Sequence, residues 1–586
     1  PRCAPLGGNS VWAAAGTPLG ADGGNDNNNN NNNNRPAILV ATSIDSTSMF
    51  HDLSPGANNA ASNILTLLMA AELIGSIKDQ TLDQLYGRIV FAFFQGESYG
   101  YVGSRRFLKD VVEGFQCTGG NEGVASVYKR RDDTSTTRAC LHPLRADLTF
   151  QNLGQEIRGM IAVDQVGSLG GTKNMYLQGG EATDGGNGFA AFLSNVVVQL
   201  SASDGGGYTA QTSSVSNEEQ DDGSYPLPPT PLTSLVQLSS SAVGGVALTG
   251  YDDSFISNSL YHSHLDSASK FQSIDKDAIA SAATLVARSA VAAAYQNAND
   301  EVDYADASAY ALSLLPSAVN ASSATFANLY NCLFEDGNCE AFLSYGGVER
   351  SNDAIRTGKD LGMGIPLGSP PSYYTSIYDL SSGQSFVKAS GKYYGSLLVD
   401  GDETTNEDSE VIKTYGQDES DAFLVRPTLL EMSLFGLLND YLGRGSFVAD
   451  ENESGNASPT LATCASSNDC SSVSYCNTAE SSSVQPICAG GACICGSRSH
   501  YHPSLDEALS AAANVRPGMF EIEDNDQGIS ALYTEPYWSN YVGVRVYNDA
   551  GASVGVAASS VGAVFAVVCI VIVWRLKRRM VKQKVY

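Results

Sequence analysis

The stretch RIVFAFFQGESYGYVGSR, residues 88–105, decides the fold that this 586-residue chain can adopt. Its first half is an apolar run that is too short and too uniform for an amphipathic helix, so it predicts a buried strand. Gly96, Gly100 and Gly103 follow, and glycine permits backbone turns that are closed to other residues. Glu97 lies in this turn. Because ligands of open α/β sheets bind at the carboxyl ends of strands, the turn is a candidate site, although an ordinary strand-to-helix turn has the same pattern.

Two further apolar segments predict neighbouring strands that also end in acidic residues. AILVATSIDS (37–46) contains Asp45, and GMIAVDQVGS (159–168) contains Asp164. After the first of them, apolar residues recur at helical spacing over residues 64–71. The order strand, helix, strand, helix, strand predicts an α/β fold in which helices cover a sheet.

The later segments are read from pattern alone. FAAFLSNVVVQL (189–200) is an apolar run that we interpret as another strand, and SAVGGVALTGYDD (241–253) predicts the last inner strand. Residues 275–296 predict an Ala-rich helix that begins at an acidic cap. The polar segment 116–150 is interpreted as an inserted loop.

A membrane span is predicted near the carboxyl terminus. Residues 554–574, VGVAASSVGAVFAVVCIVIVW, carry no charge and are long enough to cross a bilayer as one helix. The tail 575–586 has six Lys or Arg and no acid, which places it in the cytosol by the positive-inside rule and the preceding residues in the lumen or outside the cell. A buried core helix is the weaker alternative, since it needs neither a terminal Trp nor a basic cluster.

The charge of the chain excludes a nucleic-acid partner. The formal net charge is −29, and it is more negative still without the basic tail. Such an acidic surface repels phosphate backbones and favours a soluble exterior.

The cysteines predict disulfides, because eleven of the twelve lie outside the span and the lumen is oxidising. Cys117 with Cys140 and Cys332 with Cys339 are plausible pairs, which leaves Cys3 over. A Ser-rich segment that is poor in large apolar residues holds six more: Cys464, Cys470, Cys476, Cys488, Cys493 and Cys495. A zinc knuckle of Cys493 and Cys495 with His500 or His502 is the alternative reading of this segment.

Three Asn-x-Ser sequons, Asn320, Asn452 and Asn456, lie in polar surroundings. In a lumenal domain they predict glycosylation sites.

The strands and their acidic ends resemble the zinc aminopeptidase family. In that family a His-x-Asp, a Gly-Ala-x-Asp, a Glu-Glu before Gly-Ser, a strand-end Asp and a late His-x-x-x-Asp build a two-metal site. The resemblance implies an aminopeptidase-like mixed sheet flanked by helices.

Most of the metal ligands are replaced in this chain. Ser43 stands where the metal-binding His is expected, Asn59 where the bridging Asp is, and Ser98 where the second Glu is. The retained positions are Glu97 as the general base, Asp164, and His262 with Asp266. Zinc needs deprotonated N, O or S donors, usually three from protein, so we expect no zinc and no other cofactor.

Five segments in order resemble the nicastrins, the large glycosylated subunits of the γ-secretase intramembrane protease. They are PRCAPL followed by Val11-Trp12 (1–12), FFQGESYGYVGS (93–104), YPLPPTPLTSLVQL (225–238), LYHSHLDS (260–267) and YTEPYW (533–538). The chain departs from that pattern at Gly100, where an Asp is usual, and at His262, which is unusual.

This second resemblance implies a function. The chain would be a single-pass type I membrane glycoprotein of the endoplasmic reticulum, Golgi, plasma membrane or endosome, with a further amino-terminal lobe missing here. It would be a pseudoenzyme that stabilises the protease and gates single-pass substrates, with Glu97 and Tyr101 in the substrate pocket. The implied partners are presenilin, the multipass scaffold subunit and the presenilin enhancer.

The implied divisions follow the composition. They are an N-terminal fragment with an Asn-rich loop (1–36), the aminopeptidase-like ectodomain (37–450), a small disulfide-rich module (451–500), a juxtamembrane segment packing on the ectodomain (501–553), one transmembrane helix (554–574) and a basic tail (575–586). Two other functions stay open. One is a membrane-anchored aminopeptidase or glutaminyl cyclase with a zinc held by Asp164, His262 and a third donor, and the other is a disulfide-rich adhesion receptor.

Overall fold

The fold is taken from a computed structural model, and every structural statement concerns the residues that it describes. Those residues are 3–5, 9–16, 35–48, 54–116, 124–128, 136–141, 144–145, 148–153, 156–181, 188–203, 207–214, 227–238, 243–252, 260–268, 273–296, 303–345, 371–374, 377–379, 384–386, 402–405, 411–415, 429–442, 487–489, 492–494, 497–501, 509–511, 520–522, 534–536 and 552–583.

The strands are short apart from those of the central sheet. In chain order they are β1 (Cys3–Pro5), β2 (Ser10–Ala14), β3 (Ala37–Ser43), β4 (Arg88–Phe94), β5 (Val124–Tyr128), β6 (Thr136–Leu141), β7 (Leu144–Arg145), β8 (Ile157–Asp164), β9 (Asn174–Glu181), β10 (Thr209–Thr212), β11 (Gly244–Thr249), β12 (Ile377–Asp379), β13 (Gln384–Phe386), β14 (Asp402–Thr405), β15 (Val411–Tyr415), β16 (Ile487–Ala489), β17 (Ala492–Ile494), β18 (Ser497–Tyr501), β19 (Leu509–Ala511), β20 (Phe520–Ile522) and β21 (Thr534–Pro536).

The helices alternate with the central strands. They are α1 (Ser62–Ile74), α2 (Asp79–Asp83), α3 (Val102–Val112), α4 (Phe189–Ser203), α5 (Pro231–Leu238), α6 (Lys276–Tyr295), α7 (Tyr304–Leu314), α8 (Ala324–Phe334), α9 (Glu340–Tyr345), α10 (Leu429–Leu442) and α11 (Ala552–Gln583). A π-helical turn, Ala57–Ala61, leads into α1, and a 3₁₀ turn, Glu97–Tyr99, leads towards α3.

An eight-stranded mixed sheet organises the larger compact unit, which covers residues 3–535. Its order is β10-β9-β11-β8-β3-β4-β2-β18. The four central strands β11, β8, β3 and β4 are parallel, while β9 and β2 run antiparallel to their central neighbours. The predicted mixed α/β sheet flanked by helices is therefore confirmed.

Alternation along β4 divides the core into two layers. Ile89, Phe91 and Phe93 face the layer that contains α1, α4, α6 and α10, whereas Val90 and Phe94 face the layer of α3 and α5. A strand covered by helices on both faces buries every side chain, which explains why β4 is apolar throughout. The layer of α3 also holds Phe107, whose ring lies 5.5 Å from that of Phe94.

Helix α6 confirms the predicted Ala-rich helix and identifies its cap. Asp275 accepts hydrogen bonds from the backbone N–H groups of Asp277 (3.0 Å) and Ala278 (3.2 Å), so Asp275 and not Asp277 is the N-cap.

The interpretation of residues 189–200 as a strand is wrong, because they belong to helix α4. The buried residues of α4 recur at helical intervals, and they are Phe189, Ala190, Leu193, Val196, Val197, Leu200 and Ser201. An apolar run of this length is too long for an ordinary strand, and its spacing of three and four residues was the available signal.

The segment interpreted as an inserted loop contains β-structure. Strands β5, β6 and β7 lie within residues 116–150 and form a five-stranded sheet, in the order β14-β15-β5-β6-β7. β5 pairs with the neighbouring β6 on one side and, on the other, with β15, nearly 300 residues later in the chain. Pairing between segments so far apart leaves no local pattern to read.

Two short segments outside the predicted ectodomain extend the large sheet. β2 lies within 1–36 and β18 lies at the end of the predicted module 451–500, and the two strands pair with each other. β2 also pairs with β4. The boundaries at residues 36 and 500 therefore do not separate these strands from the sheet, and the other boundaries stay predictions.

The predicted disulfide between Cys332 and Cys339 is present and lies between α8 and α9. Cys488 and Cys493 are directly opposite each other in the backbone register of β16 and β17. The residues or side chains of the other predicted disulfide cysteines lie outside the described parts, as do Asn452 and Asn456. Asn320 is described and its side chain is exposed.

Helix α11 belongs to the smaller unit and is considered by itself. Two helices among the described residues are long and apolar enough to cross a membrane, namely Lys276–Tyr295 and Ser559–Lys577. The first is α6, of which 89% is buried in the core, while no part of the second is buried within the chain. Only the second requires an apolar solvent, so the C-terminal helix is the membrane-span candidate.

Candidate functional site

The candidate site lies where the four parallel strands end. Because β3, β4, β8 and β11 are parallel, their carboxyl ends meet at one edge of the sheet. This edge brings together Asp45 after β3, Glu97 and Ser98 after β4, Asp164 at the end of β8, and Tyr251 after β11. The sequence analysis named all of these except Tyr251.

Asp45 holds the turn after β4 in place. Its Oδ1 accepts the backbone N–H of Glu97 (2.8 Å), and its Oδ2 accepts that of Ser98 (2.9 Å). The Ser43 hydroxyl also donates to Oδ1 (3.1 Å). Asp45 is completely buried, and burial raises its pKa while these hydrogen bonds counteract the rise. The carboxylate therefore organises backbone and does not orient a metal-binding His, because Ser43 occupies that position.

Glu97 faces the amino terminus of α3. Its Oε1 accepts the backbone N–H of Ser104 (2.7 Å), and its Oε2 accepts the Ser104 hydroxyl (2.8 Å). That hydroxyl also lies 2.7 Å from the hydroxyl of Ser234 on α5. Burial raises the pKa of Glu97 to about 8, with a smaller contribution from Asp45, although the bonds from Ser104 oppose this. The side chain thus serves as a buried cap that joins the turn to two helices.

Tyr101 is placed by strained backbone. It is the N-cap of α3 with φ of 64°, in the left-handed region that a bulky residue rarely adopts. Gly96 and Gly100 on either side of the 3₁₀ turn also have positive φ values, of 80° and 91°. The phenol ring of Tyr101 is half-buried. Glu97 holds this conformation by fixing Ser104 three residues later.

Asp164 is enclosed by neutral donors. The hydroxyl of Tyr251 (2.8 Å) and the side-chain amide of Gln165 (2.9 Å) donate to its Oδ2, and the Asn63 amide donates to its Oδ1 (3.3 Å). Burial raises the pKa of Asp164 to about 6 in spite of these bonds. Tyr101 lies close enough to raise the pKa of Tyr251, although burial and Asp164 contribute more.

Asn59, which the sequence analysis assigned to the position of a bridging Asp, has a neutral side chain. Its backbone N–H donates to Asp266 Oδ2 (3.2 Å), and that of Asn58 donates to Oδ1 (3.0 Å). The Asn59 side-chain amide donates to the carbonyl of Asp45 (3.5 Å). Asp266 is fully buried, and burial raises its pKa to about 6. Both oxygens of Asp266 are therefore used to anchor the turn that precedes α1.

His262 is the one imidazole among the predicted site residues. Its Nε2 lies 3.4 Å from the hydroxyl of Ser98, and its ring stacks on that of Tyr261 at a centroid distance of 3.8 Å. Burial lowers the pKa of His262 to about 4, so the ring is neutral at neutral pH.

Residues 96–100 have the Gly-x-Ser-x-Gly spacing of a hydrolase nucleophile turn, with Ser98 at its centre. Such a nucleophile needs free backbone N–H groups to stabilise an oxyanion. Here the N–H of Ser98 donates to Asp45, and that of Tyr99 donates to a carbonyl of the same turn. With its lowered pKa, His262 is also a weak base. The pair therefore does not support covalent hydrolysis.

The donor set does not fit a pair of zinc ions. Across the described residues, no group of three or more His, Cys, Asp and Glu side chains lies together as a metal site would require. Ser43, Asn59 and Ser98 offer neutral oxygens, and Asp45 and Asp164 already accept two or more hydrogen bonds each. Such neutral oxygens are poor zinc ligands.

The sequence analysis did not identify the residues that contact the predicted site residues and hold them in place. Ser104 binds Glu97, Asn63 and Tyr251 bind Asp164, and Tyr261 stacks on His262. A signal existed for two of them: Asn63 follows Asn59 by one helical turn, and Tyr251 comes directly after a strand end. The partner of Glu97 carried no such signal.

Comparisons with known proteins find similarity to nicastrins. Residues 36–295 match the family model of the nicastrin large lobe, and this range contains every central strand of the site. The chain is 26% identical to nicastrin of Arabidopsis thaliana over 385 residues, which cover 65% of this chain and 46% of that protein. It is 29% identical to nicastrin of Dictyostelium purpureum over 175 residues, which cover 30% and 23%. These matches span less than half the length of either relative.

A solved structure shows the same fold. The crystal structure of the γ-secretase component nicastrin superposes with a TM-score of 0.52 and covers 89% of this chain and 65% of that one. The identity over this superposition is 18%, so it shows the fold alone.

Proposed function

We infer that the chain is a nicastrin, because its residues 36–295 match the nicastrin large lobe, and we propose that it is the non-catalytic subunit of a γ-secretase complex. It stabilises the complex and handles single-pass membrane substrates whose ectodomains have been shed. Its catalytic partner is presenilin, and the multipass scaffold subunit and the presenilin enhancer complete the assembly. The ectodomain lies in the lumen of the secretory route or outside the cell, and α11 crosses the membrane.

One observation carries the non-catalytic part of this proposal. The backbone amides of Glu97 and Ser98 donate to the carboxylate of Asp45. In aminopeptidases this edge of the sheet holds zinc, whereas here its carboxylate binds backbone. Without a metal there is no metal-activated water for Glu97 to deprotonate.

The structure supports different roles for Tyr101 and Glu97 in the proposed substrate pocket. We propose that the half-buried ring of Tyr101 meets the substrate, and that Glu97 acts from behind by holding the turn that carries this ring. A phenol face attracts cationic groups such as a substrate amine. Glu97 itself is 6% exposed and both its oxygens are bonded to Ser104.

Co-purification from native membranes tests the proposal. The full chain is isolated in mild detergent through an affinity tag, and the co-purified proteins are identified by mass spectrometry. We expect presenilin and the two small multipass subunits in stoichiometric amounts. A chain that reaches the cell surface without presenilin would instead support the adhesion-receptor reading.

The alternative function, a zinc enzyme, depends on His262 and Asp164 as metal ligands, and metal analysis tests it. We expect the purified complex to contain no stoichiometric zinc. One tightly bound equivalent, together with aminoacyl hydrolysis that is abolished by chelation and by Glu97→Gln, would establish the enzyme reading.

A further inference from the structure

Helix α11 continues well beyond its apolar part. The apolar window ends at Lys577, while the helix runs to Gln583. From Trp574 to the helix end there are nine residues, which extend about 13 Å at 1.5 Å per residue. The basic segment after the span is thus a helical continuation with defined faces.

Helical geometry sorts the basic residues of this continuation by face. Arg575, Arg578, Arg579 and Lys582 follow the spacing i, i+3, i+4, i+7 and share one face. Lys577 lies on the opposite side of the helix. There is no acidic residue in 575–586 to neutralise either side.

Membrane orientation does not account for this arrangement. The positive-inside rule depends on the number of Lys and Arg near a span and not on their face. A shared face matters when several cations must meet one polyanionic group at the same time. Three of the four are arginines, whose planar guanidinium groups bind phosphate oxygens through paired hydrogen bonds.

We propose that the basic face, Arg575, Arg578, Arg579 and Lys582, binds the multiply phosphorylated headgroups of anionic phospholipids in the cytosolic leaflet. This inference rests on the membrane topology proposed above. The span already anchors the chain, so the basic face does not serve for attachment. It gathers anionic lipids around the helix and sets how deep the helix lies in the membrane.

The experiment uses the full chain in its native complex, reconstituted into nanodiscs of phosphatidylcholine with a few mole per cent of phosphatidylinositol bisphosphate. Native mass spectrometry measures how far the phosphoinositide is enriched among lipids bound to the protein. We expect clear enrichment in the wild type. Equal enrichment when all four residues of the basic face are changed to Gln overturns the proposal.

Two double variants separate the face from the charge. Arg578→Gln with Lys582→Gln removes two charges from the basic face, and Lys577→Gln with Lys584→Gln removes the two charges of the tail that are not part of the basic face, at similar distances in sequence from the span. We expect the first pair to reduce enrichment about ten-fold or more and the second about three-fold or less. Equal losses in the two pairs would overturn the assignment to one face.

Two further experiments test whether the ligand is a membrane lipid and on which side of the membrane the tail lies. Soluble inositol trisphosphate at matched concentration should not displace the bound lipid, and displacement would overturn the commitment to a membrane lipid. Protease treatment of sealed vesicles reports which side the tail occupies. A tail on the lumenal side contradicts the proposed topology itself, whereas a cytosolic tail without lipid enrichment contradicts only this inference.

Discussion

At the residue scale, Asp45 is a buried carboxylate whose role in this structure is to bind backbone. It is buried, accepts two backbone N–H groups and joins the end of β3 to the turn after β4. Hydrogen bonds to a charged acceptor contribute more than neutral ones, and a buried donor left unpaired is costly. The fold therefore depends on this carboxylate for the geometry of the site.

Asp45→Asn tests this dependence. The Asn amide would present N–H to one of the two backbone donors, so one buried donor loses its acceptor, and we expect unfolding to become easier by about 1 to 3 kcal/mol. Thermal and denaturant unfolding of the purified chain measure the change. Ser43→Ala is the matched control, because it removes one part-buried hydrogen bond to the carboxylate and two to the backbone of Asp45 but keeps the acceptors of the Glu97 and Ser98 amides. Equal effects of the two changes would contradict the central role of Asp45.

The buried carboxyl groups make stability depend on pH in a stated direction. The folded-state pKa of Glu97 is about 8, and those of Asp164 and Asp266 are about 6, all above their usual values. A carboxyl whose folded pKa is raised contributes stability that is fully present below the unfolded pKa and is lost as pH rises through the folded pKa. The ectodomain should therefore be most stable at mildly acidic pH.

Glu97→Gln measures the contribution of Glu97 to this pH dependence of stability. Gln keeps an acceptor for the Ser104 N–H but does not titrate, so the loss of melting temperature between about pH 5 and about pH 8 should be smaller than in the wild type. Differential scanning fluorimetry at several pH values measures it. An unchanged pH profile would show that Glu97 does not titrate in this window.

At the scale of elements, the close approach of α3 to β4 determines the position of the turn between them, Glu97–Tyr99. Gly103 lies in the first turn of α3, and a Cβ added there would collide with the carbonyl oxygen of Gln95 and lie 3.0 Å from the Ser10 hydroxyl. Only glycine permits the helix to begin so near the strand that carries Glu97.

Gly103→Ala should destabilise the chain despite the better helix propensity of Ala. The propensity gain is about 1 kcal/mol, whereas forcing a methyl group into packed backbone costs about 1 to 3 kcal/mol and shifts Tyr101. Unfolding measurements test the balance. Gly179→Ala in β9 is the control, since its Cβ would lie 3.7 Å from the nearest atom, and it should leave stability unchanged or slightly higher.

At the scale of the whole molecule, assembly and substrate handling are predicted to use separate surfaces. The described apolar side chains of the span are largely exposed in the chain alone, and Phe565 and Val561 are each 69% exposed. Small residues, including Ala558 and Gly562, lie in its outer half. Small residues let membrane helices pack closely without a hydrophobic driving force.

Leucine at both Ala558 and Gly562 should weaken the complex. Among the described residues, a Cβ at Gly562 meets no atom within 4 Å beyond the neighbouring helix backbone, so we expect the change to act on a partner helix and not on the chain itself. Native gel electrophoresis with detection of presenilin measures assembly. Val567→Leu, on the opposite side of the helix, is the control and should leave the complex intact.

The ectodomain variant gives the complementary result. Glu97→Gln should alter substrate handling while the complex stays assembled. We choose Gln and not Ala at position 97, because Ala would remove the acceptor of the Ser104 hydrogen bonds and so disturb the start of α3. A dissociated complex with Glu97→Gln, or an intact one with the two leucines, would show that the surfaces are assigned wrongly.

The sequence by itself determined the features that depend on local composition. The apolar runs of β3, β4 and β8 predicted strands because burial on both faces requires apolar residues at every position. The candidate span was readable from length and charge, and the neutral side chains of Ser43, Asn59 and Ser98 were enough to predict that zinc is not bound.

Only the tertiary structure decided which groups meet. The chain path brings β18 beside β2 and the amide of Asn9 to Glu431, 422 residues away, and it turns Glu97 towards Ser104 rather than towards the surface. Residues 189–200 were interpreted as a strand from their apolar composition, whereas they form α4, whose buried residues recur at helical spacing. Local patterns report burial and backbone preference, whereas the direction and partner of a buried polar side chain depend on elements that are remote in sequence.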